Sequence, residues 1–418
     1  MRYLRITLAV TVLCSVMARA GDDELPPHVL NLARIQLRMA GDLNRLPNYT
    51  CLETIDRYTS VAGTQPKPLD RIRINVALVE GKELYSWPGS KSFEDRTLAE
   101  MVRSGFISDG DFASMAKNVF LHRNSTISFI GQQAEGGRTL LRYKFEISPM
   151  QSGWQIRLGG ASGVVGAKGW FEADSTTYDL VRFQFEAVDL PPFSPEKGFE
   201  ERAEYGRVRL GEADVLLPLS VDLKSEAFSG TRRWNHATFT ACREYGAKTT
   251  ISFNEEGSPA PAAAIPVTAK AEAVVSVPPG LEVSLRLDSE IDSARSAVGD
   301  EITAVVAKTV RIEKEVILQK GAVVKGVIRR FDRHVGNRPY CAVGLEFTEA
   351  LSDGKSFLFF GKMDGISRFA GLHQRVIGFD TPADRASPGV GLFYVEGESF
   401  TIPQGVQFTW ITEPVQTR

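Results

Sequence analysis

Five histidines stand in the 418 residues: His28, His122, His236, His334 and His373. No two are spaced as metal ligands and no two cysteines form a C-x-x-C pair, so a zinc site would have to be assembled entirely by the fold. Gly159 to Gly169 is the richest glycine stretch. A phosphate-binding loop needs Gly-Lys-Ser/Thr at the start of a helix. Here Ala167 parts Gly166 from Lys168, and Trp170-Phe171 open a strand. The stretch therefore reads as a flexible strand-to-strand loop, or as the lip of a cavity. Ser162 lacks the spacing of a nucleophile elbow. Asp109-Gly110-Asp111 has too few oxygen ligands for a calcium loop and reads as a helix cap. Glu172 and Asp174 read as solvated strand carboxylates, and no pair stands out as an acid/base couple. The expectation is a non-enzyme with no metal and no cofactor.

The aromatic residues carry more weight. Trp154, Trp170, Phe171, Phe183, Phe185 and Phe193 cluster within one stretch of chain. They are ordinary core on the plain reading. On the functional one, Trp154, Trp170, Phe171, Phe183 and Phe185 line an apolar ligand cavity.

These side chains need a compartment and a scaffold. Arg2 and Arg5 precede an apolar run from Ile6 to Met17, and Ala18-Arg19-Ala20 supplies the small residues of a cleavage site. Residues 1–20 thus read as a secretory signal peptide, cleaved near Ala20. The run is shorter than the roughly 20 apolar residues of a membrane span. Cys14 lies inside the apolar core, which argues against a lipoprotein signal. No later segment is long and apolar enough to span, so no transmembrane segment is expected to be retained. The localisation implied is periplasmic or secreted. With 49 Lys+Arg against 51 Asp+Glu, the formal net charge is −2. No basic stripe is present, which excludes nucleic-acid binding. Nothing in the sequence sets an oligomeric state.

The chain is too long for one ordinary core. Asp22 to Pro47 reads as one amphipathic helix, with Val29, Leu32, Leu43 and Leu46 on one face and Leu30, Ala33, Leu37 and Ala40 on another. Extended segments follow, with a hairpin turn at Glu80-Gly81. Short helices are expected around Leu98–Val102 and Phe112–Phe120. Strands then dominate, most clearly Leu180–Val188, where Arg182, Gln184 and Glu186 alternate with Phe183, Phe185 and Ala187. A Pro/Ala-rich stretch over 256–273 has the composition of a linker. It divides an α+β unit, 21–255, from an all-β unit, 274–418. Beyond it an apolar residue, a turn and a glycine recur before a new strand, at Pro279-Gly280, Lys320-Gly321 and Gln404-Gly405. Such units suggest a barrel or sandwich.

After export Cys51, Cys242 and Cys341 remain, where disulfides are allowed. Spacing cannot choose among three pairings, but the domain plan does. Cys51 lies in the first strand of the first unit and Cys242 in its last. Cys341 lies beyond the linker and alternates with Val343, Leu345 and Phe347. A Cys51–Cys242 bridge and a shielded Cys341 thiol are expected. Three separate thiols are the alternative.

Gly169-Trp170-Phe171-Glu172-Ala173-Asp174 followed by Tyr178-Asp179-Leu180-Val181-Arg182 is similar to a strand pair of the LolA-like lipoprotein carriers. Tyr205-Gly206-Arg207-Val208 and Leu216-Leu217-Pro218 are similar to their later strands. Leu46-Pro47-Asn48-Tyr49-Thr50-Cys51 resembles the opening of uncharacterised exported bacterial proteins. The resemblance covers residues 22–255 and implies a half-barrel of strands wrapped around helices. Farther on, Pro279-Gly280, Gly299-Asp300, the run Lys320–Val327 and Leu345-Glu346-Phe347 resemble the C-terminal β-barrel of TrbI-type conjugation scaffolds. That resemblance implies an envelope barrel. The missing cytoplasmic tail and missing apolar insertion argue against a secretion channel. The fold expected is mainly β with a few helices (α+β), a LolA-like half-barrel followed by a smaller all-β barrel or sandwich. The function expected is a non-enzymatic cell-envelope binding or scaffold protein, its partner an envelope protein or an apolar or peptide ligand. A lipid or lipoprotein chaperone is the first alternative and an envelope hydrolase the second.

Overall fold

The computed structural model describes residues 25–90, 92–102, 106–107, 114–121, 125–158, 161–245, 275–334, 337–366, 376–379 and 388–414. The expected signal peptide and the expected linker lie outside the described residues, as do Asp109, Asp111, His122 and His373.

Helix α1 spans Pro27–Asn44. Pro26 caps it without a side-chain bond and Pro27 occupies the first turn, where a missing N–H costs nothing. Its buried stripe centres on Ile35 and Met39, with Leu32, Leu43 and Leu46 packed beside them. The second face expected from the sequence is not buried as a whole, since Leu37 is 75% exposed. The physical reason is that α1 lies on one sheet, so only one stripe is covered. Helix α2, Leu98–Met101, is held by a capping box. The Thr97 hydroxyl accepts from the Glu100 amide, and the Thr97 amide donates to the Glu100 carboxylate. Helix α3 is Ser114–Phe120.

Among the described residues, twelve strands lie before residue 246. They are β1 (Tyr49–Val61), β2 (Lys67–Val79), β3 (Lys82–Ser86), β4 (Thr126–Glu135), β5 (Arg138–Ile147), β6 (Gln155–Leu158), β7 (Ala161–Val164), β8 (Gly166–Asp174), β9 (Leu180–Val188), β10 (Glu196–Leu210), β11 (Ala213–Ala227) and β12 (Thr231–Glu244). Ten of them form one antiparallel sheet in the order β3-β2-β1-β12-β11-β10-β9-β8-β5-β4, while β6 and β7 make a separate hairpin. The β2–β3 turn is the expected one, with Glu80 and Gly81 both at positive φ.

Register puts one continuous row of apolar residues across this sheet. From β4 to β2 it reads Phe129, Tyr143, Phe171, Phe183, Ala203, Val221, Ala237, Ile55 and Ile72, each directly opposite the next. The helices lie over this face. Phe120 of α3 meets Phe171 edge-on at 5.0 Å, and His28 of α1 stacks on Phe129 at 5.3 Å. The Tyr143 hydroxyl donates to the His28 carbonyl at 2.7 Å, and burial pushes that phenol up to about 12. The adjoining row points the other way, because side chains alternate along every strand. It reads Ser128, Lys144, Trp170, Gln184, Arg202, Asp222, His236, Asp56 and Arg71. Charge ties α1 to the sheet as well: Arg207 reaches both Asp42 and Asp179, and Arg38 reaches Asp179 at 2.9 Å. Burial alone would raise the Asp179 carboxyl, but Arg207 and Arg38 hold it below its ordinary value.

A second sheet is built from residues 275–412. Its long strands Val323–His334 and Tyr340–Ser352 pair antiparallel, and Gln407–Thr412 pairs with both Glu282–Leu287 and Gly361–Ile366. The sheet rolls up until a Cβ on Gly391 would lie 2.6 Å from the Cβ of Met363. The three recurring turns carry Gly280, Gly321 and Gly405, at φ +85, +88 and +98. Glycine alone adopts such angles without strain. Cys341, Val343, Leu345 and Phe347 are all buried, and Ala342 and Glu346 between them are buried as well, so both faces of this strand are covered.

The two sheets touch. Strand β3 covers only Asn75–Val79 of β2, and Val298 takes up backbone groups farther along that strand. The Val298 amide donates to the Arg71 carbonyl at 2.8 Å, and the Arg73 amide to the Val298 carbonyl at 2.7 Å. Arg73 also binds both oxygens of Asp300, at 2.6 and 2.7 Å. Gly299 makes the approach possible, since a Cβ there would sit 2.0 Å from the Arg73 carbonyl oxygen.

Candidate functional site

The aromatic residues singled out by the sequence divide between the two faces. Phe171 and Phe183 are fully buried under the helices, and Phe185 lies beside them at 8% exposure. Phe145 stacks on Phe183 at 5.0 Å, and Tyr143 on Phe171 at 5.4 Å. These rings belong to one buried cluster with Ile35 and Met39 of α1 and with Val119 and Phe120 of α3. Trp170 points to the opposite face, where the Arg142 guanidinium lies 3.9 Å over its ring. Beneath that pair Glu172 is buried and receives Arg182 at 2.5 Å. Strand β8 thus sends Trp170 and Phe171 to opposite sides, as adjacent residues of a strand must go.

Trp154 comes from outside the main sheet. It precedes the β6–β7 hairpin and stacks on Phe185 at 4.7 Å with the planes 6° apart. The Val165 amide donates to its carbonyl, closing the hairpin base. The Trp154 indole nitrogen is buried and finds no acceptor among the described residues. Leaving such a donor unpaired costs about 1–3 kcal/mol. Exposed apolar side chains lie at the hairpin beside it: Val164, opposite Gln155, is 44% exposed, and Phe193, whose ring lies against Gly163, is 37% exposed.

The glycine stretch differs from the expected flexible loop. Ala161–Val164 is a strand of the hairpin, and Gly166 opens β8. The glycines serve close packing here. A Cβ on Gly169 would lie 2.0 Å from the Gln184 carbonyl oxygen, and one on Gly163 would lie 2.5 Å from the Pro191 ring.

Cys51 and Cys242 form the expected disulfide, with Cα atoms 4.1 Å apart. The bridge sits where the β1–β12 register shifts, between Thr50 and Leu52. Ala241 has φ +50, which is the bulge that turns Cys242 toward Cys51. Cys341 is a free buried thiol, and burial pushes it up to about 11.

The histidines stand apart. His236 Nδ1 lies 2.8 Å from Asp222, and His334 stacks on Tyr340 at 4.3 Å. Among the described residues no group of three or more His, Cys, Asp or Glu is arranged to hold a metal ion. No described helix is long and apolar enough to cross a membrane. Sequence reading missed Tyr58 and Trp234, which stack at 4.8 Å on the face away from the helices. No local signal could have paired them, because they lie on the first and last strands of the half-barrel.

The architecture is that of a half-barrel protein. One curled antiparallel sheet closes over a long helix, and a second rolled sheet is docked at its β2 edge. No family model and no curated protein matches the chain. Among solved structures it is similar to a LolA superfamily protein from Nitrosomonas europaea, with 7% identity and a TM-score of 0.27, over 51% of this chain and 94% of that one. It is similar to a putative outer membrane lipoprotein-sorting protein domain from Vibrio parahaemolyticus, with 10% identity and a TM-score of 0.31, over 54% and 95%. A DUF1329 family protein from Desulfovibrio piger gives 10% identity and a TM-score of 0.24, over 54% and 95%. Likeness at this level carries no argument about activity.

Proposed function

We propose that this is an exported, non-enzymatic cell-envelope protein that binds an apolar or peptide ligand. In this reading residues 21–255 form the binding unit, 256–273 the linker and 274–418 a docking unit for an envelope partner. The observation that supports it is the Trp154–Phe185 stack. A single indole from a separate hairpin covers the end of the Phe145–Phe183–Phe185 cluster. Its N–H finds no acceptor among the described residues, so swinging it out gains a hydrogen bond to water. The exposed Val164 and Phe193 of the hairpin region offer apolar surface to whatever replaces it. A ligand chain entering there would exchange one ring for its own apolar groups. A carrier of lipid or lipoprotein is the narrower form of the same reading.

An environment-sensitive apolar dye tests it. Trp154→Ala should raise dye binding by uncovering Phe185, and Phe185→Ser should lower it. Trp170→Ala, on the other face, should change nothing. A folded Trp154→Ala protein that binds no dye would overturn the reading.

A further inference from the structure

On the face away from the helices lies a cavity of about 760 Å³, within the roughly 300–1,000 Å³ range of ligand sites. Its floor is a single cross-strand row: Lys168, Glu186, Glu200, Lys224, Trp234 and Tyr58. The Tyr58 and Trp234 rings stack at 4.8 Å, and the Trp234 indole donates to Asp222 at 2.8 Å, which fixes its orientation. Ser60 and Thr64 add hydroxyls at one end. Glu226 bridges Lys197 at 3.0 Å and Arg232 at 2.9 Å. Lys224 and Glu200 have no ion-pair partner among the described residues, so an ammonium and a carboxylate face the cavity uncommitted. None of these residues belongs to the apolar site proposed above, and the two readings stand or fall separately.

The lining selects among ligand classes. An acyl chain would desolvate charged side chains without pairing them, which is costly. An extended peptide finds no strand edge, because β8, β9, β10, β11, β12 and β1 are each paired on both sides within the sheet. A nucleic-acid backbone would meet three carboxylates among the five cationic side chains. A sugar hydroxyl both donates and accepts, so one hydroxyl can bridge a neighbouring carboxylate and ammonium. Tyr and Trp offer an apolar body with a polar tip, which suits the mixed faces of a pyranose. Glu196 neutralises Arg233 at 2.5 Å, so Lys168, Lys197, Lys224 and Arg232 outnumber the carboxylates Glu186, Glu200 and Glu226 by one, which favours a sugar that carries a carboxylate.

We infer that the row Lys168–Tyr58 on the outer face of the half-barrel is a binding site for a mildly acidic oligosaccharide.

Calorimetric titration of the full chain with two soluble saccharides tests this. One is the uncharged tetramer of N-acetylglucosamine, the other a tetrasaccharide of equal length with muramic acid at alternate sugars. The acidic one should bind several-fold more tightly, and added salt should narrow the gap. Lys224→Ala removes a charge-assisted contact from an exposed position and should weaken binding about tenfold. Trp234→Phe keeps the stack but loses the anchoring bond, and should also weaken it. Lys355→Ala, on the second sheet, should have no effect. Folded protein that takes up neither saccharide overturns the inference, as does binding that both variants leave unchanged. Capture of an acidic decapeptide in place of the saccharides, lost in the same variants, would replace the sugar by a peptide. Apolar dye binding should be unaltered by Lys224→Ala, which keeps this test separate from the Trp154 reading.

Discussion

Cutting the Cys51–Cys242 link should destabilise the half-barrel by a large, calculable amount. The two strands that carry these residues are already paired along most of their length, so the bridge adds little order to the folded state. Its effect falls on the unfolded chain, where it closes a loop of 191 residues. In the chain-entropy account such a loop is worth about 5 kcal/mol at 25 °C, near the top of the range seen for single bridges. With a urea slope of about 2 kcal/mol/M, the midpoint should fall by about 2.5 M. The assay is urea unfolding of the Cys51→Ala/Cys242→Ala protein beside the oxidised parent, followed by tryptophan emission. Reduced parent should behave like the double variant, which separates loss of the link from loss of sulfur packing at Cys51. Cys341→Ser keeps the bridge and is the control for a lone thiol. A midpoint shift under about 0.5 M would refute the entropic reasoning. Peptide mapping that finds Cys51 and Cys242 as free thiols in exported protein would refute the pairing itself.

Two further outcomes follow from buried ionisable groups. Arg57 and Asp70 form a buried ion pair, with Arg57 Nε donating to Asp70 at 2.6 Å. Burial raises the Asp70 carboxyl even against Arg57, so its charged form is a net cost to folding above the ordinary carboxylate range. Arg57→Met alone should cost about 3–5 kcal/mol at pH 7 by stranding Asp70, whereas Arg57→Met with Asp70→Leu should restore most of it. Equal losses in the single and double variants, read by denaturant unfolding, would contradict this. Cys341, raised by burial from 9.0 to about 11, keeps its proton longer when folded than when unfolded. Its contribution to stability is therefore complete below pH 9 and is lost as pH rises through 11. A thiol reagent at pH 8 should leave it untouched until the protein unfolds. Labelling at the rate of a free thiol in native protein would show that the second sheet opens.

How much of this was legible beforehand depends on the range of the signal. The β9 segment Leu180–Val188 was readable to the residue, because alternation is a property of neighbours in sequence. The glycine turns at 280, 321 and 405 were readable because only glycine takes their φ freely. The helix was readable as a helix, but not which stripe would be covered. Ile35 rather than Leu37 is buried because the sheet meets α1 from one side only.

The sequence by itself determined strand segments such as Leu180–Val188, the tight turns and, through the order of the units, the cysteine partners. These rest on local backbone preferences and on which residues share a unit. The tertiary structure alone decided the rest. It separated Trp170 from Phe171 and Phe183, since the face a strand turns inward is set by its partners' register. It seated Trp154 on Phe185, and it closed the β2 edge with Val298 from the far sheet. It also brought Tyr58 to Trp234, which lie far apart in sequence and meet only through the pairing of β1 with β12. Pairing over such distances is governed by the packing of the entire sheet, which no window of sequence contains.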